Sequence, residues 1–226
     1  MPILITNREW GVKMKYIYKE GTGEVIEKKS RFIANVYKIT SEEEAAAVIG
    51  DTKKKYWDAR HNCYAYVLGG KSGQKRFSDD GEPSGTAGKP ILDILEAYSV
   101  RDCLIVVTRY FGGTLLGTGG LIRAYQGAAK EGLEASEIVD VIIGMKAYID
   151  TDYNGMGKIQ YMCAEMNIHV CDVEYTEKVH MEMLIPDDLY VQFVNKITDA
   201  FSGKVEVIDI EQTKFAKKED GSVILL

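Results

Sequence analysis

The sequence predicts an α+β protein built from two domains. Three observations carry this. At 226 residues the chain exceeds the usual size of one domain. Short β-rich runs alternate with helical periodicities along its length. Its charge is also unevenly divided: residues 1–137 carry 20 Lys and Arg against 18 Asp and Glu, whereas residues 138–226 carry 8 against 16. The expected domains are therefore 1–137 and 138–226, with residues 1–13 as an N-terminal extension of no clear period.

Composition excludes several classes. Hydrophobic residues make up 46% and charged residues 27%, which argues against wholesale disorder. No apolar run approaches the roughly 18 residues that span a bilayer. The first residues lack the order of a secretory signal, so a cytoplasmic protein without membrane partners is expected. Cys63, Cys103, Cys163 and Cys171 form no C-x-x-C pair and no zinc-like spacing. Each lies in an apolar segment, so reduced, buried thiols are expected.

Taken in order, Lys15-Tyr-Ile-Tyr-Lys19 reads as a strand closed by a turn, and Met14 just upstream is a second candidate start. Glu24–Ser30 and Arg31–Ile39 have strand composition. Lys28, Lys29 and Arg31 form a basic cluster there, read as a solvated turn. Ser41 and Glu44 make a capping box, and Ala45, Val48, Ile49, Thr52 and Tyr56 continue one helical face. Asn62–Leu68 alternates as a strand, Gly69–Gly73 turns, and Gln74–Phe77 returns. Lys89-Pro90 opens a helix with proline at a tolerated early position. Leu104–Thr108 is a buried strand, and Ala124–Leu133 is helical.

After residue 137 the order is a strand to Asp150, a helix over Tyr153–Met166, and a hairpin of Ile168–Tyr175 with Lys178–Ile185. A helix follows from Pro186 to Phe201, then a strand over Lys204–Ile210. The order β-α-β-β-α-β is the split βαβ of a ferredoxin-like sandwich. His169 and His180 belong to its hairpin as packing or surface residues.

Two stretches carry candidate chemistry. In the first, Gly112, Gly113, Gly117, Gly119 and Gly120 fall within nine residues between a strand and a helix, bracketed by Arg109 and Arg123. Backbone N–H groups at a helix start, with guanidinium forks beside them, suit phosphate or carboxylate. The alternative is tight packing alone, since the spacing matches neither the dinucleotide fingerprint nor the P-loop. Tyr110 and Phe111 either stack bases or belong to the core. The second stretch, Ser78–Gly88, holds Asp79, Asp80 and Glu82, with His61 nearby in sequence. These groups suit acid/base work or a divalent metal, although no ligand spacing is evident; Ser84 and Thr86 are weaker nucleophile candidates.

Several segments together are identified with the YigZ/IMPACT family. They are Lys29-Ser-Arg-Phe-Ile33, Ala59-Arg-His-Asn-Cys-Tyr-Ala-Tyr66, Ser78-Asp-Asp-Gly-Glu-Pro-Ser-Gly-Thr-Ala87, Gly88-Lys-Pro-Ile-Leu-Asp-Ile-Leu95, Val100, Val106-Val107 and Arg109-Tyr-Phe-Gly-Gly-Thr-Leu-Leu-Gly117. The resemblance covers residues 15–137 and implies a ribosomal protein S5 domain 2-like sandwich with a left-handed βαβ crossover. The remainder resembles the C-terminal domain of bacterial members, itself similar to domain V of elongation factor G. Eukaryotic relatives regulate translation through an extra protein-binding domain that no segment here resembles. Some bacterial relatives carry a dipeptidase label.

Three functions follow as expectations. The first is translation control by binding RNA or the ribosome through Arg109, the glycine loop and Arg123. The second is a hydrolase or phosphate-handling enzyme using Asp79, Asp80 and Glu82, with no cofactor firmly implied. In the third, the acidic second domain docks a basic protein partner or shields the first domain.

Overall fold

The computed structural model describes residues 15–69, 73–218 and 221–226. The N-terminal extension, the candidate start at Met14 and the centre of the turn expected over Gly69–Gly73 lie outside the described residues. The chain divides into two compact units, Met1–Asp140 and Val141–Leu226.

In the first unit, β2 (Thr22–Glu27), β3 (Ser30–Lys38), β4 (His61–Val67), β5 (Lys75–Ser78) and β7 (Cys103–Tyr110) form an antiparallel sheet. Its order is β2-β3-β7-β4-β5. Alternation along these strands separates two apolar faces. Phe32, Ala34, Val36, Cys63, Ala65, Val67, Ile105 and Val107 meet α2 (Gly88–Ala97) and α3 (Gly117–Glu134). Tyr66, Leu104 and Val106 on the other face meet α1 (Glu42–Lys55). β7 is buried on both sides, which explains why Leu104–Thr108 reads as a continuous apolar run. β1 (Lys15–Lys19) pairs parallel with β6 (Val100–Arg101) and antiparallel with Glu137–Asp140.

The expected capping box starts α1. Ser41 Oγ accepts from the Glu44 N–H at 3.1 Å, and the Glu44 carboxylate accepts from the Thr40 N–H at 2.7 Å. The β3–α1–β4 crossover passes over β7, which places the ends of β3, β4 and β7 beside the glycine loop.

The second unit continues β8 (Glu137–Thr151) and adds α4 (Tyr153–Glu165), β9 (His169–Tyr175), β10 (Val179–Pro186), α5 (Asp187–Phe201), β11 (Ile208–Lys217) and β12 (Val223–Leu225). Strand order β9-β10-β8-β11-β12 contains the ferredoxin-like arrangement. Ala147, Ile149, Ile159, Met181, Phe193 and Ile197 form its core between the sheet and the two helices.

Three expectations change here. The strand expected over Lys204–Ile210 is instead Ile208–Lys217. Ser202 and Gly203 both adopt positive φ to end α5, and the chain reaches the sheet only after that connection. A further strand, β12, then closes the edge. Cys171 is exposed rather than buried. It is the extra residue of a bulge, because Asp172 pairs with Glu182 and Val170 with Met183.

Candidate functional site

The end of β7 places the first candidate stretch. Arg109 lies between Phe32 of β3 and His61 of β4 in register, and the chain then leaves the sheet as the glycine loop. Gly113 and Gly117 take φ of +84° and +69°, where glycine is favoured. Gly112 meets a different demand: a Cβ on it would overlap the Lys29 carbonyl carbon and the Ser30 nitrogen. Its N–H donates to Ser30 Oγ at 3.1 Å. The loop is thereby wedged against the β2–β3 turn, where Lys28 and Lys29 both have positive φ.

The helix starts inside the glycine stretch, seven residues before the expected Ala124. Its N-cap, Leu116, supplies no side-chain hydrogen bond, so among the described residues the first-turn N–H groups have no side-chain partner. Arg123 is exposed and folds back over that turn; a Cβ on Gly119 would lie 3.5 Å from its Nη1. Lys28 and Lys29 are exposed as well, and none of these three cations forms an ion pair among the described residues. Arg31 differs, since a bidentate bond to Glu24 at 2.6 and 2.8 Å occupies it.

Arg109 requires a correction. The sequence pattern pairs it with Arg123 as a donor to an external anion, yet its side chain is only 8% exposed. Its Nη1 donates to Glu82 Oε1 at 2.5 Å. The same oxygen accepts from the Tyr125 hydroxyl at 2.9 Å. The guanidinium contacts the rings of Phe32 and Phe111, 5.4 and 5.7 Å from their centroids. A charge buried this deeply needs a partner in its own layer, and Glu82 is that partner. The Cys63 thiol extends the cluster, 3.3 Å from the Tyr125 oxygen and 2.9 Å from the Asp79 carbonyl. Burial pushes the Cys63 thiol and the Tyr125 hydroxyl up, so both stay protonated at neutral pH.

The carboxylates of the acidic stretch turn to separate partners. The Asp79 carboxylate accepts from the N–H groups of Gly85, Ala87 and Gly88 at 2.9, 3.0 and 2.8 Å, organising the loop that starts α2. Asp80 accepts from Lys53 Nζ at 2.6 Å and from the Asn62 N–H at 2.7 Å. With Glu82 turned toward Arg109, the three carboxylates face three different partners. Among the described residues no group of three or more His, Cys, Asp or Glu is placed to hold a metal. His61 Nδ1 donates to the Asp80 carbonyl at 2.8 Å, a bond that orients the ring. Thr86 Oγ1 donates to the Pro83 carbonyl at 2.7 Å, and Ser84 is exposed. Asp79, Asp80, Glu82 and His61 thus hold the loop beneath the glycine stretch, and the basic surface lies on the glycine loop and the β2–β3 turn.

Sequence reasoning missed Tyr125, which reads as one more apolar position of a helix, and Trp57, whose 82% exposure no local pattern signals.

A model of the Impact N-terminal domain matches residues 28–133, and one described as a domain of unknown function (DUF1949) matches residues 149–204. The IMPACT family member YvyE of Bacillus subtilis is 37% identical over 201 residues, covering 89% of this chain and 93% of the relative. The chain belongs to the IMPACT family. Another IMPACT family member, YigZ of Escherichia coli, is 34% identical over 187 residues, covering 82% of this chain and 92% of its own. A solved structure described as that of a hypothetical protein is similar at 32% identity with a TM-score of 0.54, covering 88% of this chain and 97% of its own. In this IMPACT-family chain the glycine loop, the β2–β3 turn, Arg123 and the Glu82–Arg109 cluster all fall inside the range matched by the Impact N-terminal model. Among the described residues no helix is long and apolar enough to cross a membrane.

Proposed function

We propose that this protein acts in translation control by holding RNA, free or within the ribosome, on the glycine-loop face of its first unit. The observation that carries the reading is the uncapped start of the 18-residue helix α3, set beside three exposed cations that form no ion pair among the described residues. Uncapped N–H groups and the positive end of the helix dipole favour phosphate oxygens. Arg123 folds over the first turn, and Gly112 locks the Lys28–Lys29 turn against the loop. Acidic groups at this end are largely occupied: Glu24 by Arg31, Asp80 by Lys53 and Glu82 by Arg109. Glu27, beside the turn, offsets part of the positive charge. Membership of the IMPACT family supports the link to translation.

The burial of Arg109 makes Arg123 the informative position to change. In filter binding of the full chain to cellular RNA and to ribosomal subunits, affinity is expected to fall with salt. Arg123→Ala lowers the magnitude of the log–log salt slope by roughly 0.7 on single strands, and Lys28→Ala/Lys29→Ala together lower it further. Binding unchanged in both variants excludes this face as the phosphate contact.

A further inference from the structure

The sheet of the second unit has one face turned away from its helices. Val179, Met181, Met183, Ala147 and Ile149 point into the core, so the residues that alternate with them face away from α4 and α5. The strand register sorts these residues into three adjacent rows. Glu174, His180 and Asp150 form the first row, and Asp172, Glu182, Tyr148 and Ile208 the second. His169, Leu184, Lys146 and Glu211 form the third. Five carboxylates therefore share these rows with one lysine.

Side-chain contacts hold the middle of the face in place. Asp150 Oδ1 accepts from His180 Nδ1 at 2.7 Å, and the His180 and Tyr148 ring centroids are 4.6 Å apart. Lys146 Nζ lies 2.9 Å from Glu182. Those contacts occupy Asp150 and Glu182. Asp172, Glu174 and Glu211 are exposed and form no ion pair among the described residues. In the adjoining turn, Glu177 and Lys178 offset each other.

An open sheet face with aromatic rings can stack the bases of a single strand. Here the unpaired carboxylates would repel its phosphates, and a cationic polypeptide is the complementary occupant. The rows repeat roughly every 6.5 Å along a strand, which is also the spacing of alternate side chains in an extended segment. Arginine suits both features of the face, since its guanidinium pairs with carboxylates and stacks on rings.

We propose that this face docks an extended, arginine-bearing segment of a partner protein, with guanidinium groups on Asp172, Glu174 and Glu211 and against Tyr148. Docking here uses residues of the second unit and is independent of RNA on the first.

The test uses the full chain and fluorescein-labelled peptides of alternating arginine and serine, or lysine and serine, with anisotropy as the readout. The arginine peptide should bind, and more weakly as salt rises. Asp172→Asn/Glu174→Gln should weaken it roughly fivefold or more. Asp188→Asn/Asp199→Asn, which removes the same charge from exposed positions of α5, should change it by less than about twofold. The arginine peptide should bind about threefold tighter than the lysine peptide, and Tyr148→Leu should erase that difference. No peptide binding, or equal losses in the two charge variants, overturns the proposal. Tighter peptide binding by Arg123→Ala also overturns it, because the chain's own basic loop would then be the occupant. Loss of RNA affinity in Tyr148→Leu overturns it in favour of nucleic acid on this face.

Discussion

At Arg109, one side chain shows how context sets a residue's role. Beside a glycine loop a guanidinium is a natural anion receptor, but here it faces inward and Glu82 neutralises it. Its Nε is buried without a hydrogen-bond partner among the described residues, so the cluster depends strongly on the bond to Glu82. Glu82→Gln should leave the charge uncompensated and lower stability by about 3–5 kcal/mol in urea unfolding. Replacing both residues by Met should recover much of that loss, because a well-packed apolar pair avoids desolvating two charges. No cost for the single change would show that the pair contributes nothing to holding the loop. The partners are 27 residues apart, and no local pattern links them.

The elements around the loop separate glycines needed for space from those needed for conformation. Gly112 belongs to the first kind, since a Cβ there overlaps the backbone of the β2–β3 turn. Gly112→Ala should therefore destabilise by about 2 kcal/mol or more, as overpacking against unyielding backbone does. Gly119 lies in the first turn of α3, where a Cβ would meet only Arg123 Nη1 at 3.5 Å. Gly119→Ala should be neutral or stabilising by up to about 1 kcal/mol, because alanine favours the helix. Thermal melts of the two variants check the contrast, and equal behaviour would reject it. Glycine density was evident in the sequence; the different reason for each glycine came from its neighbours.

Across the whole molecule, two separate cores predict two protection boundaries. Cys63 and Cys103 are buried in the first unit, Cys163 in the second, and Cys171 is exposed on a bulge. Burial raises the Cys163 thiol to about 11, so it is neither accessible nor ionised near neutral pH. Thiol labelling of the native chain at pH 8 should modify Cys171 alone. With increasing urea, Cys163 should become reactive before Cys63 and Cys103, because the smaller unit buries a smaller fraction of its surface. Simultaneous release of all three would mean that the units unfold as one. Much of this organisation is legible in the chain: two domains, the helix of the capping box, the βαββαβ order and the glycine loop all follow from periodicity, turn residues and motif order, which are local properties. The division of the cations into spent and unspent, the inward turn of Glu82, the bulge at Cys171 and the exposure of Trp57 are not legible there. Each depends on which distant groups share a layer, and burial and electrostatic pairing act through space rather than along the chain.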